Sequence, residues 1–212
     1  MIQRFAGFPP DAIKFFKDLS SHNNREWFQA HKDVYERACR KPMNDLLEDL
    51  GPRFGAGRVS RINRDIRFSA DKSPYRTNIS AGIGGSYISL STEGLYVGAG
   101  IYKPETAALQ RLRAAIDNAR SGAKLQQTVK SLRRKGYRVD THETLTGAPR
   151  GYPVDHPRID LLRMKDIFAG KMFEPAAWLT TSQAEGRIQR VLTDLEPLRE
   201  WLRRYVGGRS DG

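Results

Sequence analysis

The sequence contains one cysteine and no long apolar run, and each scarcity excludes a class of protein. A single thiol, Cys39, cannot form an internal disulfide or build a zinc site from cysteine ligands. Cys39 falls within a helical pattern, which is typical of a buried side chain rather than a nucleophile. No stretch approaches the ~18 apolar residues of a membrane span, and no basic segment followed by an apolar one opens the chain. We therefore expect a soluble, cytoplasmic protein without a membrane partner.

The sequence also lacks the motifs of several common enzymes. Its four histidines have none of the close spacings of a metal hydrolase: His22, His31, His142 and His156. Asp65 and Asp71 lie near Lys72, as a magnesium-dependent nuclease needs, but the surrounding arginines would repel a cation. No GxSxG sequence marks a serine hydrolase, and Gly82-Ile83-Gly84-Gly85 is too short for a nucleotide-binding fingerprint. We therefore expect no metal and no cofactor.

Positive charge is what the sequence has in excess. It has 36 lysines and arginines against 24 aspartates and glutamates, a net charge of +12, and its pI is near 10.0. Such a balance favours anionic partners such as nucleic acid, a phosphorylated metabolite or an acidic surface. A GC-rich genome also raises the arginine content, so the net charge alone does not establish a partner.

Helical and strand periodicities alternate in blocks along the chain and predict an α+β fold. The predicted blocks are helical residues 1–52, sheet residues 58–102, helical residues 104–135 and mixed loop and helix over residues 141–206. The sheet is expected to be antiparallel with about four to five strands, residues 137–140 being a candidate further strand. We expect it to pack against the N-terminal, central and C-terminal helices in one domain over residues 1–212.

The densest group of charged side chains lies at residues 58–76, with six basic and two acidic residues. Alternation from Val59 predicts a strand through Phe68, in which Arg64 interrupts a row of apolar residues. A guanidinium in such a row needs a carboxylate or a ligand anion, because a buried unpaired charge is costly. Asp71 in a turn and Pro74 beyond it predict an ordered loop.

We therefore predict an anion-binding pocket for a phosphorylated or carboxylated small molecule, built on residues 64–77. Arginine forks match phosphate and carboxylate groups bidentately, and Asp65 would orient one guanidinium. The predicted ligand-binding residues are Arg61, Arg64, Asp65, Arg67, Asp71, Lys72, Tyr75, Arg76 and Tyr102. If the site is catalytic, Asp65 or Asp71 is the candidate base and Tyr75 the candidate acid; the pattern does not decide between binding and catalysis.

The N-terminal helices offer a wall for such a pocket. Asn23 with Glu26 three residues later predicts the start of a helix. On a functional interpretation Asn24, Arg25 or Lys32 would line the pocket, and otherwise this segment is a helix cap followed by core aromatic residues.

Two other interpretations fit the charges. Between Arg111 and Arg138 nine basic residues accompany one acid, Asp117, which favours nucleic acid, although few aromatic residues interleave them. The residues of this nucleic-acid alternative are Arg111, Arg120, Lys124, Lys130, Arg133, Arg134 and Lys135. In the purely structural interpretation, the arginines and aspartates of residues 64–77 form an ion-pair network that pins the sheet to the N-terminal helices.

Several stretches resemble one known family. They are residues 8–28, which end in Asn23-Asn24-Arg25-Glu26-Trp27-Phe28, residues 64–77, residues 94–100 and Asp155-His156-Pro157-Arg158. In this order they are similar to the mainly bacterial family called domain of unknown function 2461, over nearly the whole chain, and the central stretch is the most specific. The resemblance implies a single full-length domain and a cytoplasmic protein. It implies no activity, cofactor or catalytic residue.

Overall fold

A computed structural model describes residues 4–67 and 70–207. The N-terminal block is helical, with α1 (Pro10–Ser21), α2 (Arg25–Ala30), α3 (Lys32–Val34), a π-helix (Tyr35–Arg40) and α4 (Lys41–Phe54). Strands β1 (Gly57–Val59), β2 (Asn78–Ile83), β3 (Ser86–Ser91) and β4 (Gly94–Ile101) follow. The remaining elements are α5 (Thr106–Asp117), α6 (Ala119–Arg134), β5 (Arg138–Asp140), α7 (Ile159–Arg163), β6 (Ile167–Phe173), a 3-10 helix (Ala177–Thr180), α8 (Gln183–Asp194) and α9 (Glu196–Tyr205).

The strands form one antiparallel sheet in the order β1-β2-β3-β4-β6-β5. In the central hairpin, β2 pairs with β3 so that Ile79 lies opposite Leu90. Gly84 and Gly85 connect these strands with φ values of 53° and 74°, the positive values that a tight two-residue hairpin turn requires. The predicted α+β fold with an antiparallel sheet is confirmed, and the sheet has six strands where about four to five were expected.

The predicted strand from Val59 to Phe68 is wrong over most of its length. Strand β1 ends at Val59 and is followed by irregular backbone over residues 60–67 and 70–77, which form the central loop; Phe68 lies outside the described residues. Within this loop, the Arg64 N–H donates to the Pro74 carbonyl (2.9 Å) and the Arg76 N–H donates to the Ile62 carbonyl (2.8 Å). Asparagine, aspartate and proline are disfavoured in strands and recur in this stretch, which closes on itself instead of extending β1.

Strand β6 lies where the sequence predicts only loop and helix. Its alternate residues Ile167 and Ala169 are buried, but Gly170 weakens the strand signal. A Cβ atom on Gly100 would lie 2.4 Å from the carbonyl oxygen of Ile167, so glycine allows the close approach of backbone at this point.

The chain divides into two compact units, Met1–Val97 with Met172–Arg190 and Gly98–Lys171 with Val191–Gly212. In the first, α4 packs against β1 and β2, and α1 packs against β3. In the second, α6 packs against α5, α9 and β5, and the Trp201 indole, 1% exposed, donates to the Ser121 carbonyl at 2.9 Å. The prediction of a single domain over residues 1–212 stays a prediction. Within residues 4–67 and 70–207, no helix has both the length and the apolar character needed to span a membrane.

Replacing Gly94 by alanine is expected to destabilise the protein by more than a positive φ alone explains. Gly94 begins β4 with a φ of 111°, and an added Cβ would lie 2.0 Å from the carbonyl oxygen of Phe173. Gly85 has a φ of 74° with open space around its Cα, so Gly85→Ala measures the backbone strain alone, about 1–2 kcal/mol. Chemical denaturation should show that Gly94→Ala lowers the free energy of unfolding by about 1–3 kcal/mol more than Gly85→Ala does, because the clash adds to the strain. Equal losses in the two variants would contradict the close packing at Gly94.

Candidate anion-binding cleft

The Asn23 side chain connects the N-terminal helices to the central loop. Its Nδ2 donates to the Tyr75 carbonyl (2.9 Å), and its Oδ1 accepts from the Tyr75 N–H (3.1 Å). The amide thus gives Tyr75 the two hydrogen bonds that an antiparallel strand would give. The Phe28 ring stacks on the Tyr75 ring with a centroid distance of 4.1 Å. The cap of α2 is Asn24, which accepts from the Trp27 N–H, and not Asn23 as the spacing predicts.

Two arginines of the central loop are paired with aspartates of the same loop. Arg64 forms an ion pair with Asp71 and lies 3.1 Å from the Ser73 hydroxyl. Arg67 donates from Nε and Nη2 to the two carboxylate oxygens of Asp65, at 2.9 and 2.6 Å.

These contacts make both aspartates weak bases. Hydrogen bonds from the Ser73 hydroxyl and N–H, followed by the Arg64 guanidinium, hold the pKa of Asp71 well below its usual range. Hydrogen bonds from the side chain and N–H of Arg67 lower the pKa of Asp65. Because a general base works best when its pKa lies near the ambient pH, neither carboxylate is suited to that role at neutral pH.

The other residues of the predicted pocket have different surroundings. The Lys72 ammonium donates to the Ile66 carbonyl (3.1 Å), and the Arg76 side chain is exposed. Tyr102 belongs to the second compact unit, is 61% exposed and lies with its ring 4.6 Å from that of His142.

A cleft of about 540 Å³ lies in the first compact unit, between the N-terminal helices, β1 and the start of the central loop. The described residues that line it, which we call the basic cleft, are Phe28, Gln29, Lys32, Tyr35, Glu36, Arg40, Asn44, Gly57, Arg58, Val59, Ser60, Arg61, Ile62, Asn63 and Tyr75. Arg61 and Tyr75 are the members of the predicted ligand-binding set found among them. Of the three candidate wall residues Asn24, Arg25 and Lys32, the lining includes Lys32.

The basic cleft carries an excess of positive charge. Its described lining holds four cationic side chains, Lys32, Arg40, Arg58 and Arg61, and one carboxylate, Glu36. Arg40 is paired with Glu36 (3.2 Å), one turn away on the π-helix. Among the described residues, Lys32, Arg58 and Arg61 have no ion-pair partner. The one carboxylate of the described lining is thus paired with Arg40, and Lys32, Arg58 and Arg61 bring positive charge to the cleft that no ion pair offsets.

The π-helix supplies the buried wall of the cleft. Burial raises the pKa of the Tyr35 hydroxyl to about 12, with smaller contributions from Cys39 and Glu36. Tyr35 is therefore protonated at neutral pH and adds no negative charge. Cys39, one turn further, is fully buried as expected, and burial raises the pKa of its thiol to about 12, so it is unreactive.

The predicted nucleic-acid residues lie on α5, α6 and the turn after α6, and all seven are exposed. Three of them have contacts: Lys135 with Asp194 (2.5 Å), Arg111 with the Val206 carbonyl (2.9 Å) and Arg133 with the Val139 carbonyl (3.4 Å). The other four lie on the side of α6 opposite its buried Leu125, Val129 and Leu132: Arg120, Lys124, Lys130 and Arg134. They span about 21 Å along the axis of α6.

Sequence reasoning did not find Tyr35, Arg40 and Asn44 as cleft residues. Tyr35 and Arg40 lie on a π-helix, which has no periodic signature that distinguishes it from an α-helix, so the faces of these two residues could not be assigned. Asn44 lies on α4, and no feature of the sequence marked it as a cleft residue. Arg58 was among the basic residues noted at 58–76. Its position at the cleft was not predicted, because the chain beyond Val59 was expected to continue as a strand.

Comparison with known proteins gives one match. A family model described as conserved hypothetical protein (DUF2461) matches residues 11–201. No curated protein and no solved structure matches the chain. Over the described part of the chain, no group of three or more His, Cys, Asp or Glu side chains is placed to hold a metal ion.

Asn23→Ala is expected to lower the free energy of unfolding by about 2–4 kcal/mol. The change leaves the N–H and carbonyl of the buried Tyr75 without their partners, and each unsatisfied buried group costs about 1–3 kcal/mol. Asn24→Ala is the matched control, since losing that helix cap costs about 1 kcal/mol. In Asn23→Asp, the carboxylate accepts a hydrogen bond but cannot donate one at neutral pH. Its loss of unfolding free energy should lie between those of Asn23→Ala and Asn24→Ala. If urea denaturation shows that Asn23→Ala destabilises the protein no more than Asn24→Ala does, this role of Asn23 is contradicted.

Proposed function

The chain belongs to the family of conserved hypothetical proteins called domain of unknown function 2461, and we propose that it binds a small anion with a phosphate or carboxylate group in the basic cleft. The observation that carries the proposal is the set Lys32, Arg58 and Arg61, which have no carboxylate partner among the described residues. A phosphate or carboxylate between them would supply the missing charge. Arginine can meet either group with two parallel hydrogen bonds, and lysine adds a further donor.

The uncharged part of the lining suits an organic anion better than a bare ion. A volume of about 540 Å³ falls within the range of small-molecule pockets, and inorganic phosphate would fill little of it. Tyr75 and Phe28 offer aromatic surface, while Asn44 and Asn63 offer amide groups that can both donate and accept. These groups suit a ligand with a polar, partly planar body attached to its charged group.

The central loop itself is a weaker place for the anion. Arg64 and Arg67 are each held by an aspartate, so an anion there would have to displace a carboxylate that is already bound. Arg58 and Arg61 need no such exchange. The ion pairs of the loop therefore support a positioning role, in which the loop holds Arg61 and Tyr75 at the cleft.

Arg58→Gln and Arg61→Gln are expected to weaken anion binding at least tenfold each. Glutamine keeps most of the side-chain length and removes the charge, and a hydrogen bond to a charged group contributes about 1.5–3 kcal/mol. Binding of inorganic phosphate and of citrate can be measured by isothermal titration calorimetry at constant ionic strength. Melting temperatures should stay close to that of the parent protein, because both side chains are exposed.

Arg37→Gln is the matched control. Arg37 is an exposed arginine of the same π-helix that pairs with Asp11 (3.3 Å) and lies outside the cleft lining, so its loss should leave the affinity unchanged. Arg67→Gln separates the two locations for the anion. A large loss of affinity in Arg67→Gln, with none in Arg58→Gln and Arg61→Gln, would move the site into the central loop. Failure of both probes to bind would overturn the proposal.

Nucleic acid is the second candidate, favoured by the exposed cations Arg120, Lys124, Lys130 and Arg134. They lie away from the buried face of α6 and make no ion pair within the described residues. Such a basic helix surface could contact phosphates without reading the bases.

This candidate predicts binding that depends steeply on salt. The slope of log affinity against log salt concentration for duplex DNA is about −0.9 per phosphate contact. Changing Lys124 and Lys130 together to glutamine should therefore make the slope less negative by about 1.8, whereas Arg37→Gln should not change it. Fluorescence anisotropy with a labelled duplex measures both. A slope that is the same in the double variant and the parent protein would rule out α6 as the contact surface.

A further inference from the structure

Asp166 is a buried carboxylate in the second compact unit, surrounded by hydrogen-bond donors. It is 2% exposed and directly precedes β6. The His142 N–H and the Thr141 hydroxyl each lie 2.8 Å from Oδ1, and the His142 ring Nδ1 lies 2.9 Å from Oδ2. The Lys103 N–H lies 3.5 Å from Oδ2. The carboxylate thus gathers two segments distant in sequence and fixes one imidazole ring.

These contacts determine which nitrogen of His142 carries a proton. Burial by itself would raise the pKa of Asp166, but the hydrogen bonds from His142, Thr141 and Lys103 outweigh it and hold the pKa below its usual value. An ionised carboxylate only accepts hydrogen bonds, so Nδ1 of the neutral ring must be the protonated nitrogen. Nε2 then has a free lone pair, and the His142 side chain is half exposed.

The other histidines lack this arrangement. Nδ1 of His156 accepts from the Arg158 N–H (3.0 Å), Nε2 lies 3.2 Å from Asp117, and the ring is buried, so both nitrogens have structural roles. His22 and His31 are held at Nδ1 by main-chain carbonyls of Asp18 and Trp27. Among the described histidines, His142 therefore combines a buried carboxylate at Nδ1 with an Nε2 that has no protein partner.

Two aromatic rings lie near the His142 imidazole, and a lysine ammonium lies near one of them. Its ring centroid lies 4.6 Å from that of Tyr102 and 4.5 Å from that of Phe168. The Lys103 ammonium lies 5.3 Å from the centroid of Tyr102. Lys103 has a φ of 43°, which is unfavourable for a residue with a side chain and is retained where surrounding contacts enforce it.

We propose that His142, held by Asp166, is the general base of an esterase site, with Lys103 as the cation that meets the developing oxyanion. A buried carboxylate that orients a histidine whose other nitrogen faces solvent is the base half of a hydrolytic site. The neighbouring rings of Tyr102 and Phe168 favour an uncharged carboxylic ester as the substrate. No residue of this site lines the basic cleft, so the two proposals can fail independently.

The reaction balances without a metal or a redox partner. Nε2 takes a proton from a water molecule while the water oxygen forms a bond to the ester carbonyl carbon. The carbonyl oxygen becomes an oxyanion beside the Lys103 ammonium. When the carbonyl reforms, the bond to the alcohol oxygen breaks, and that oxygen leaves with the electron pair and receives the proton from Nε2 unless it is already a stable anion. Asp166 keeps its charge throughout and acts as a positioning residue.

The test measures hydrolysis of p-nitrophenyl acetate by the full chain. His142→Gln should lower kcat/KM at least tenfold, and Lys103→Met should lower it by a smaller factor. His22→Gln is the matched control, because it removes an exposed imidazole that has no carboxylate at Nδ1 and contacts the Asp18 carbonyl and the Trp27 ring instead. This variant should hydrolyse the ester at the parent rate. Equal rates in the parent protein and His142→Gln, or an equal loss in His22→Gln, would overturn the proposal.

Asp166→Asn separates positioning from a structural role. The asparagine oxygen must stay with the His142 N–H, so its NH₂ group would face Nδ1, and the ring must move its proton to Nε2. We expect kcat to fall at least tenfold with KM little changed, and ¹⁵N NMR to show the proton on Nδ1 in the parent and on Nε2 in the variant. A proton on Nε2 in the parent protein would overturn the proposal, and this measurement does not depend on the variant folding.

Discussion

The hydrogen bonds between Asn23 and the Tyr75 backbone are the constraint on which the basic cleft depends. Tyr75 is buried in irregular structure, where its N–H and carbonyl have no neighbouring strand, yet buried main-chain groups must be satisfied. A primary amide both donates and accepts, which a carboxylate or a hydroxyl cannot do in this geometry. With its backbone fixed, Tyr75 stacks on Phe28, and the central loop is held against α2. Arg61 consequently occupies a defined place at the cleft.

Ion pairs within the central loop determine which arginines of this region remain able to bind an anion. Arg64 and Arg67 are neutralised by Asp71 and Asp65, and these pairs are exposed, so they contribute little to stability. Their effect is instead on the distribution of charge. The aspartates are paired within the loop, and Arg58 and Arg61 make no ion pair among the described residues.

Local periodicity predicts some parts of this structure and fails in others, as the alternation beyond Val59 shows, where the structure has irregular backbone. The β2–β3 hairpin is clear because alternating residues flank Gly84-Gly85. Strand β6 was not predicted. Gly170 weakens its alternating pattern, and the strand is stabilised by pairing with strands distant in sequence. The charge excess at residues 58–76 was visible, but its division into paired and unpaired arginines depends on which aspartate each guanidinium reaches. The side chains of Asn23 and His142 find Tyr75 and Asp166 only in the folded chain, and no spacing rule encodes such contacts.

One physical rule joins the basic cleft and the His142 site. A folded protein satisfies nearly all of its buried polar groups, so a reactive or ligand-binding group must be held firmly while one of its bonding positions stays open. In the cleft, α2 and the central loop are held together by groups that are themselves satisfied, and the guanidiniums of Arg58 and Arg61 are left to solvent. At Asp166, four donors hold the carboxylate, which uses Nδ1 of His142 and leaves Nε2 open. In both places the open bonding position is left because the neighbouring polar groups bond to one another.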